Sequence, residues 1–254
     1  PAASTLSAGN NPYVFAVLSA HAAPGPINGV LSSSYPPLLA ELFVPLTLLP
    51  ADVASRLWLL LNLSISPLSA LLLIKSTGWK PQPPILAAVI LGSVLFLPSL
   101  YTYVSGQASL WSLLFVSVGI HAMSRDRETL SGAAFALAWA KPHPLLLLPL
   151  LLLRKRRALI AFVGITLLSL TVVAPQLLQW GQTALRGYHS NVAPAEFWYQ
   201  ATAFALLHRL GTVGWLVHGV LALASAALVF NLSGRIAWQP TAVIFVALGP
   251  LISP

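Results

Sequence analysis

Long runs of apolar residues, separated by short polar breaks, constrain this chain more than any other feature. Leu, Ala, Val and Ile continue almost without interruption between the breaks. Charged residues make up only 7% of the chain, against roughly 25% in soluble domains. So few polar side chains cannot cover a surface that faces water. We therefore expect lipid to surround the chain, and we predict an all-α, polytopic transmembrane helix bundle.

The apolar runs predict where the chain crosses the membrane. A crossing helix needs about 20 residues, and the candidate runs cover residues 37–50, 54–74, 83–104, 107–123, 158–176, 213–231 and 240–254. The first run is short for a full span, and the last reaches the final residue. We treat residues 1–254 as a single transmembrane domain.

Basic residues are concentrated in the breaks between apolar runs. The formal net charge is +8, and most of the cations lie at Lys75, Lys80, Arg125, Arg127, the run 154–157 and Arg235. This placement is typical of short cytoplasmic loops. Since no basic patch is interleaved with aromatic residues, we expect no nucleic-acid partner. The absence of cysteine excludes a disulfide framework and a thiolate metal site.

One apolar stretch, residues 130–153, is interrupted by Lys141-Pro142-His143-Pro144. If residues 75–82 and 124–129 are cytoplasmic, the basic run 154–157 is cytoplasmic too, so the stretch begins and ends on one side. Two half-helices of about ten residues each would satisfy this, with Lys141 and His143 at the tip. Irregular backbone at membrane depth is tolerated where it lines a cavity, so the tip is a candidate polar site. A full span kinked by proline is the alternative.

The same threading places two long polar segments, residues 1–36 and 177–200, outside the cytoplasm. The segment 177–200 contains tryptophan, tyrosine, arginine, histidine and glutamate. The cytoplasmic loops are short and basic by comparison. We therefore expect the functional site at the extracytoplasmic face.

Four segments together resemble glycosyltransferase family 87, the polyprenol-phosphate-mannose-dependent mannosyltransferases of the GT-C superfamily. They are Gly9-Asn10-Asn11-Pro12-Tyr13; Tyr35-Pro36-Pro37-Leu38 with Pro45 and Leu49-Pro50; Gly106-Gln107; and Lys141-Pro142-His143-Pro144 leading to the run 154–157. The resemblance implies a GT-C-like bundle with short broken or re-entrant helices in a prokaryotic plasma membrane. It also implies inverting transfer of a hexose, with mannose expected, from a polyprenyl-phosphate donor to a lipid-linked or glycan acceptor, without a cofactor.

Members of that superfamily use an acidic residue in the first outer loop, before the segment that resembles Gly9–Tyr13. No Asp or Glu precedes Glu41 in this chain. We therefore expect a fragment whose catalytic base lies upstream of Pro1, and Ser253-Pro254 as the start of a C-terminal family pattern. No catalytic residue is assigned within the chain.

Binding such a donor requires groups that stabilise the charge developing on the leaving phosphate. The cationic candidates are Lys141, His143, Arg186, His189 and Arg209. A charged side chain at membrane depth is costly enough to indicate function, although Lys141 could also extend its amine to an interface, and Arg209 could be interfacial.

Three further residues are candidates for contacts to the substrates. They are Gln107, which could instead satisfy backbone groups at a helix start, Tyr35, which could be an interfacial aromatic residue, and Glu196, an acidic residue of the segment 177–200. His21, His121 and His218 show no metal-ligand spacing, and Asp126 and Glu128 alternate with arginines as in a solvated turn. The carboxylates are too few and scattered for a hard-cation site, so we expect no metal.

Two other functions fit the same composition. A transporter or lipid flippase would also need broken helices and intramembrane cations, but no repeat of fixed period or inverted pair of halves is evident. A non-catalytic membrane scaffold would need no polar residues at depth.

Overall fold

The computed structural model describes part of the chain, and all its regular elements there are helical. The described residues are 41, 43–96, 99–100, 102–103, 108–139, 148–174, 176–177 and 212–232. A 3-10 helix covers Val44–Leu48. The α-helices are α1 (Ala51–Thr77), α2 (Pro83–Leu95), α3 (Ser109–Met123), α4 (Glu128–Ala138), α5 (Leu148–Leu152), α6 (Arg156–Val172) and α7 (Thr212–Leu232). The all-α prediction is therefore confirmed for the described residues.

The chain divides into two compact units. The first comprises Pro1–Leu61 and Leu167–Val192, and the second comprises Asn62–Thr166 and Ala193–Pro254. In the first unit the rings of Phe43 and Trp58 meet edge to face, with centroids 4.6 Å apart. The second unit holds most of the described helices and the buried core described below.

Among the described residues, α1 is the one helix that is both long enough and apolar enough to cross a membrane. It has 27 residues, and the mean hydropathy of its most apolar window is 2.0. Only 22% of that window is buried, whereas the core helix of a soluble domain would be mostly buried, so the exposed apolar surface favours lipid. The predicted run 54–74 is thus helical, with three more residues at each end.

The run 37–50 differs from the expectation of a membrane crossing wherever it is described. Residues Val44–Leu48 form a five-residue 3-10 helix, and Leu49 has an extended backbone. Pro45 lies at the start of the short helix and Pro50 follows Leu49. Proline lacks an N–H group and clashes with the preceding turn, so the two prolines prevent a continuous α-helix here.

The run 83–104 was predicted as one crossing, but its helix α2 ends at Leu95 after 13 residues. Such a helix is about 20 Å long, shorter than the roughly 30 Å hydrocarbon core. Phe96 leaves the helical conformation, with ψ at 126°, and the sequence places Pro98 two residues later. Because proline disfavours helical backbone in the residue before it, α2 stops early. The Leu100 amide still donates to the Phe96 carbonyl at 3.0 Å.

Helices α3 and α4 form a tightly packed antiparallel pair in the second unit. The turn between them places Asp126 at a φ of 57°. The Phe135 ring lies against Gly119, where a Cβ atom would overlap it, and the buried Ser131 hydroxyl donates to the Gly119 carbonyl at 2.8 Å. Glycine and serine therefore allow a close approach, as is typical of helix pairs in membranes.

A core of buried side chains joins α3, α4, α5 and α6. It contains Val116, Ile120, Met123, Phe135, Ala136, Ala138, Leu148, Leu151, Leu152, Ala158 and Phe162. These residues come from both sides of the interruption at 141–144. The core therefore holds the two limbs of the interrupted stretch against their neighbours.

Candidate functional site

The interrupted stretch begins and ends at the same place in the second unit. The Lys155 ammonium, just before α6, lies 3.5 Å from Oε1 of Glu128, the first residue of α4. Both side chains are partly exposed, at 37% for Lys155 and 26% for Glu128. The threading argument required residues 124–129 and 154–157 to lie on one side of the membrane, and this ion pair brings the two segments together.

We call the place where these two segments meet the base of the interrupted stretch. Helices α4 and α6 extend from it side by side. Near their starts, Gly132 faces the Ala158 carbonyl so closely that a Cβ atom on Gly132 would overlap it. Further along, Trp139 at the end of α4 meets Phe162 of α6 edge to face, with ring centroids 5.6 Å apart. Because the early residues of one helix meet early residues of the other, and later ones meet later ones, α4 and α6 run in the same direction.

The chain must therefore return to the base between α4 and α6. Helix α5, Leu148–Leu152, lies on this returning limb, and its side chains Leu148, Leu151 and Leu152 are 2% exposed or less. Helix α5 also contacts α7. The predicted re-entrant arrangement would require protein around a short helix at membrane depth, and this burial is consistent with that requirement.

None of the predicted substrate-binding residues lies in the described part of the chain. Those residues are Tyr35, Gln107, Lys141, His143, Arg186, His189, Glu196 and Arg209. In the sequence, the described residues that flank Lys141 and His143 are Trp139, which follows α4, and Leu148, which begins α5. The convergence of these eight side chains at one site stays a prediction.

A buried polar face on α1 was not predicted from the sequence. Asn62, Ser66 and Ser69 are each 3% exposed or less. The Ser66 hydroxyl donates to the Ser93 carbonyl of α2 at 2.6 Å, while the Ser69 hydroxyl has no hydrogen-bond partner among the described residues. Their spacing of four and then three residues places them on one helix face. That spacing in an otherwise leucine-rich run was the signal that could have revealed this face.

A cavity of about 550 Å³, open to the outside, lies at the base of the interrupted stretch. It is lined by Asp126, Arg127, Glu128, Thr129, Leu130 and Arg157. We refer to it as the base cavity. The sequence predicted only a solvated turn here. Arg125, Asp126 and Arg127 are indeed exposed, but Glu128 is half-buried and paired with Lys155, a long-range contact that no local pattern indicates.

His121 and the described acidic residues form no metal cluster. Within the part of the chain that the structure describes, no three His, Asp or Glu side chains lie close enough to hold an ion. His121 of α3 instead lies 3.3 Å from the hydroxyl of Ser76 on α1, measured at Nδ1. This contact gives His121 the structural role that its isolated position in the sequence indicated.

Several of the described helices expose apolar side chains, a surface that suits a lipid environment better than water. A family model for glycosyltransferase family 87 matches residues 34–254. The chain therefore belongs to glycosyltransferase family 87, which makes it a glycosyltransferase and confirms the resemblance carried by the motifs. Glycosyltransferases of this family are typically membrane proteins. No curated protein sequence and no solved structure shows significant similarity to the chain.

Proposed function

We propose that the protein is a polytopic membrane hexosyltransferase that uses a polyprenyl-phosphate sugar donor. Membership of glycosyltransferase family 87 over residues 34–254 carries this proposal. The sugar is mannose, the acceptor is lipid-linked or a glycan, and the reaction inverts the anomeric configuration. The site lies on the extracytoplasmic side of a prokaryotic plasma membrane.

The paired limbs of the interrupted stretch support a polar site within the membrane. Helix α4 has 11 residues and therefore rises about 16 Å from the base, roughly half of the 30 Å hydrocarbon core. Residues 140–147 separate Trp139 from Leu148, and four residues in each direction reach at most about 13 Å further. Lys141 and His143 would then lie between the midplane and the outer interface, within reach of a lipid phosphate.

Exposed apolar side chains on helices support the polytopic arrangement. Leu60 and Leu68 on α1, Leu91 on α2, and Ile160 on α6 are all more than 40% exposed. Helix α7 has 21 residues, and its Leu216 and Leu223 are 67% and 74% exposed. Water would make such surfaces aggregate, whereas lipid acyl chains would cover them.

The proposed chemistry is a single displacement at the anomeric carbon. An acceptor hydroxyl oxygen forms the new bond to this carbon while the bond to the phosphate oxygen breaks, and polyprenyl phosphate leaves with the bonding electron pair. The hydroxyl proton passes to a basic group, which is not assigned among the described residues. The Lys141 ammonium would stabilise the charge on the departing phosphate.

Sugar transfer by the full-length protein in membrane vesicles tests the proposal. We expect labelled sugar to move from a polyprenyl-phosphate mannose donor to an acceptor glycan. We also expect Lys141→Met to lower kcat/KM by roughly 100-fold or more, as when a charge-stabilising group is removed. Lys80→Met is the matched control, because Lys80 is exposed in the loop before α2.

Two results would contradict the proposal. One is full transfer activity in Lys141→Met, which would exclude the role of this lysine. The other is wild-type protein that moves the donor lipid between leaflets without transferring sugar, which would favour the flippase alternative.

A further inference from the structure

The base cavity lies within a strongly cationic part of the second unit. The two segments that meet there, 125–128 and 154–157, carry six cationic side chains and two carboxylates. Arg125, Arg127, Arg154, Arg156 and Arg157 are exposed. Segments this basic attract anionic lipid headgroups when they lie at a membrane surface.

The ion pair with Lys155 neutralises the Glu128 carboxylate, one of the two negative charges in these segments. Glu128 lines the cavity, but the Lys155 ammonium lies 3.5 Å from its Oε1. Arg127 and Arg157 then face the cavity with Asp126 as the remaining acidic lining residue. A planar guanidinium forms two parallel hydrogen bonds to a phosphate, so two arginines in one cavity are suited to a phosphate group.

Apolar positions follow the cavity-lining Arg157 along one exposed face of α6, and we refer to this face as the apolar path. Leu130 lines the cavity and is 48% exposed. Ile160 and Gly164 follow Arg157 at spacings of three and seven residues, so all three share one face of α6. Ile160 is 61% exposed, and a Cβ atom on Gly164 would have no neighbour within 4 Å. An acyl chain could therefore lie beside Ile160 and Gly164.

We propose that the base cavity is a binding site for the phosphate headgroup of an anionic phospholipid, held by Arg127 and Arg157, with one acyl chain along Ile160 and Gly164. The apolar path distinguishes a phospholipid from free phosphate, which would gain nothing from it. The described lining residues all come from 126–130 and Arg157, and the proposal does not depend on transferase activity. It gives the basic run a specific ligand in addition to its role in orienting the chain.

Lipid binding to the full-length protein in neutral detergent tests this site, measured by native mass spectrometry without sugar donor. The probes are phosphatidylglycerol, phosphatidylcholine and inorganic phosphate. We expect phosphatidylglycerol to bind more tightly than phosphatidylcholine. Each of Arg127→Gln and Arg157→Gln should weaken phosphatidylglycerol binding about fivefold. Arg56→Gln, which removes an exposed arginine of α1 in the first unit, should leave binding unchanged.

Gly164→Leu separates lipid from phosphate and does not disturb the charges. A Cβ atom at Gly164 would have no neighbour within 4 Å, so the variant should fold. Its leucine side chain would occupy the apolar path, and phosphatidylglycerol binding should fall several-fold. Equal binding of the two lipids to wild-type protein would overturn the proposal even if the arginine variants failed to fold. Displacement of bound phosphatidylglycerol by millimolar inorganic phosphate, or unchanged binding in Gly164→Leu, would show that no phospholipid occupies the path.

Discussion

The Lys155 ammonium lies 3.5 Å from Oε1 of Glu128, although 27 positions separate the two residues in the chain. Glu128 begins α4 and Lys155 immediately precedes α6. The segment between them therefore leaves the base and returns to it. This geometry would bring the interruption at 141–144 into the interior of the membrane from one side, which a single crossing would not do.

Cross-linking tests the meeting of Glu128 and Lys155. The chain contains no cysteine, so cross-linking of an introduced cysteine pair has no background from native cysteines. We expect Glu128→Cys with Lys155→Cys to react efficiently with a thiol cross-linker about as long as the two original side chains. Glu128→Cys with Val163→Cys serves as the comparison pair, since the exposed Val163 lies about 10 Å further along α6 than its first residue. Equal cross-linking yields from both pairs would argue against the meeting of Glu128 and Lys155.

Gly132 is expected to be intolerant of any side chain. A Cβ atom there would overlap the Ala158 carbonyl, which is backbone and cannot turn away. Gly132→Ala should therefore lower the stability of the folded protein by about 1–3 kcal/mol, measured by thermal unfolding in detergent. Gly92→Ala in the exposed face of α2 has open space and should gain up to about 1 kcal/mol from helix propensity. A harmless Gly132→Ala would mean that α4 and α6 are further apart.

The hydrogen bond from Ser66 to the Ser93 carbonyl tests the packing of α1 on α2. It is 2.6 Å long and joins two helices, so Ser66→Ala should cost about 0.6 kcal/mol, and at most about 1.7 kcal/mol. Ser55→Ala is the matched control, since the exposed Ser55 hydroxyl donates to the Asp52 backbone carbonyl of its own helix. Urea or detergent unfolding curves for the two variants should separate, and identical curves would show that the Ser66 bond contributes nothing.

Phe162 is expected to influence activity through Trp139. The two rings meet edge to face at 5.6 Å, and such a pair is worth about 0.5–1.5 kcal/mol beyond its burial. Trp139 ends α4 just before the segment of Lys141. Phe162→Leu should therefore lower kcat/KM for sugar transfer even when the values are corrected for the amount of folded protein. Phe96→Leu, at a residue 62% exposed, should change neither. A loss of activity that only follows the loss of folded protein would contradict this role.

Local features of the sequence were sufficient for several predictions about the fold. The leucine-rich run 54–74 predicted helix α1. The interruption at 141–144 predicted either two half-helices or one proline-kinked span, and Glu128–Ala138 and Leu148–Leu152 are the described helices on its two sides. Where the apolar runs predicted helices that the structure does not contain, proline is the reason. Pro45 and Pro98 end or prevent helices inside runs 37–50 and 83–104, because proline acts on backbone geometry and leaves the hydropathy of a run almost unchanged.

The candidate site was less accessible to sequence reasoning. The motifs led to the family, and family membership is confirmed over residues 34–254. The roles of Lys141, Gln107 and the other candidate residues stay predictions. The buried serines of α1 and the base cavity were missed, since small polar residues in an apolar run and charged residues in a turn are each common in membrane proteins.

The sequence by itself determined that the chain is helical, rich in membrane-compatible surface and a member of a glycosyltransferase family, because apolar runs and ordered motifs are properties of short segments. Only the tertiary structure decided that Glu128 meets Lys155, that Gly132 faces Ala158, and that Asn62 and Ser69 lie on the buried face of α1. Such contacts join residues far apart in the chain, and they depend on which helices pack together, which no single segment specifies.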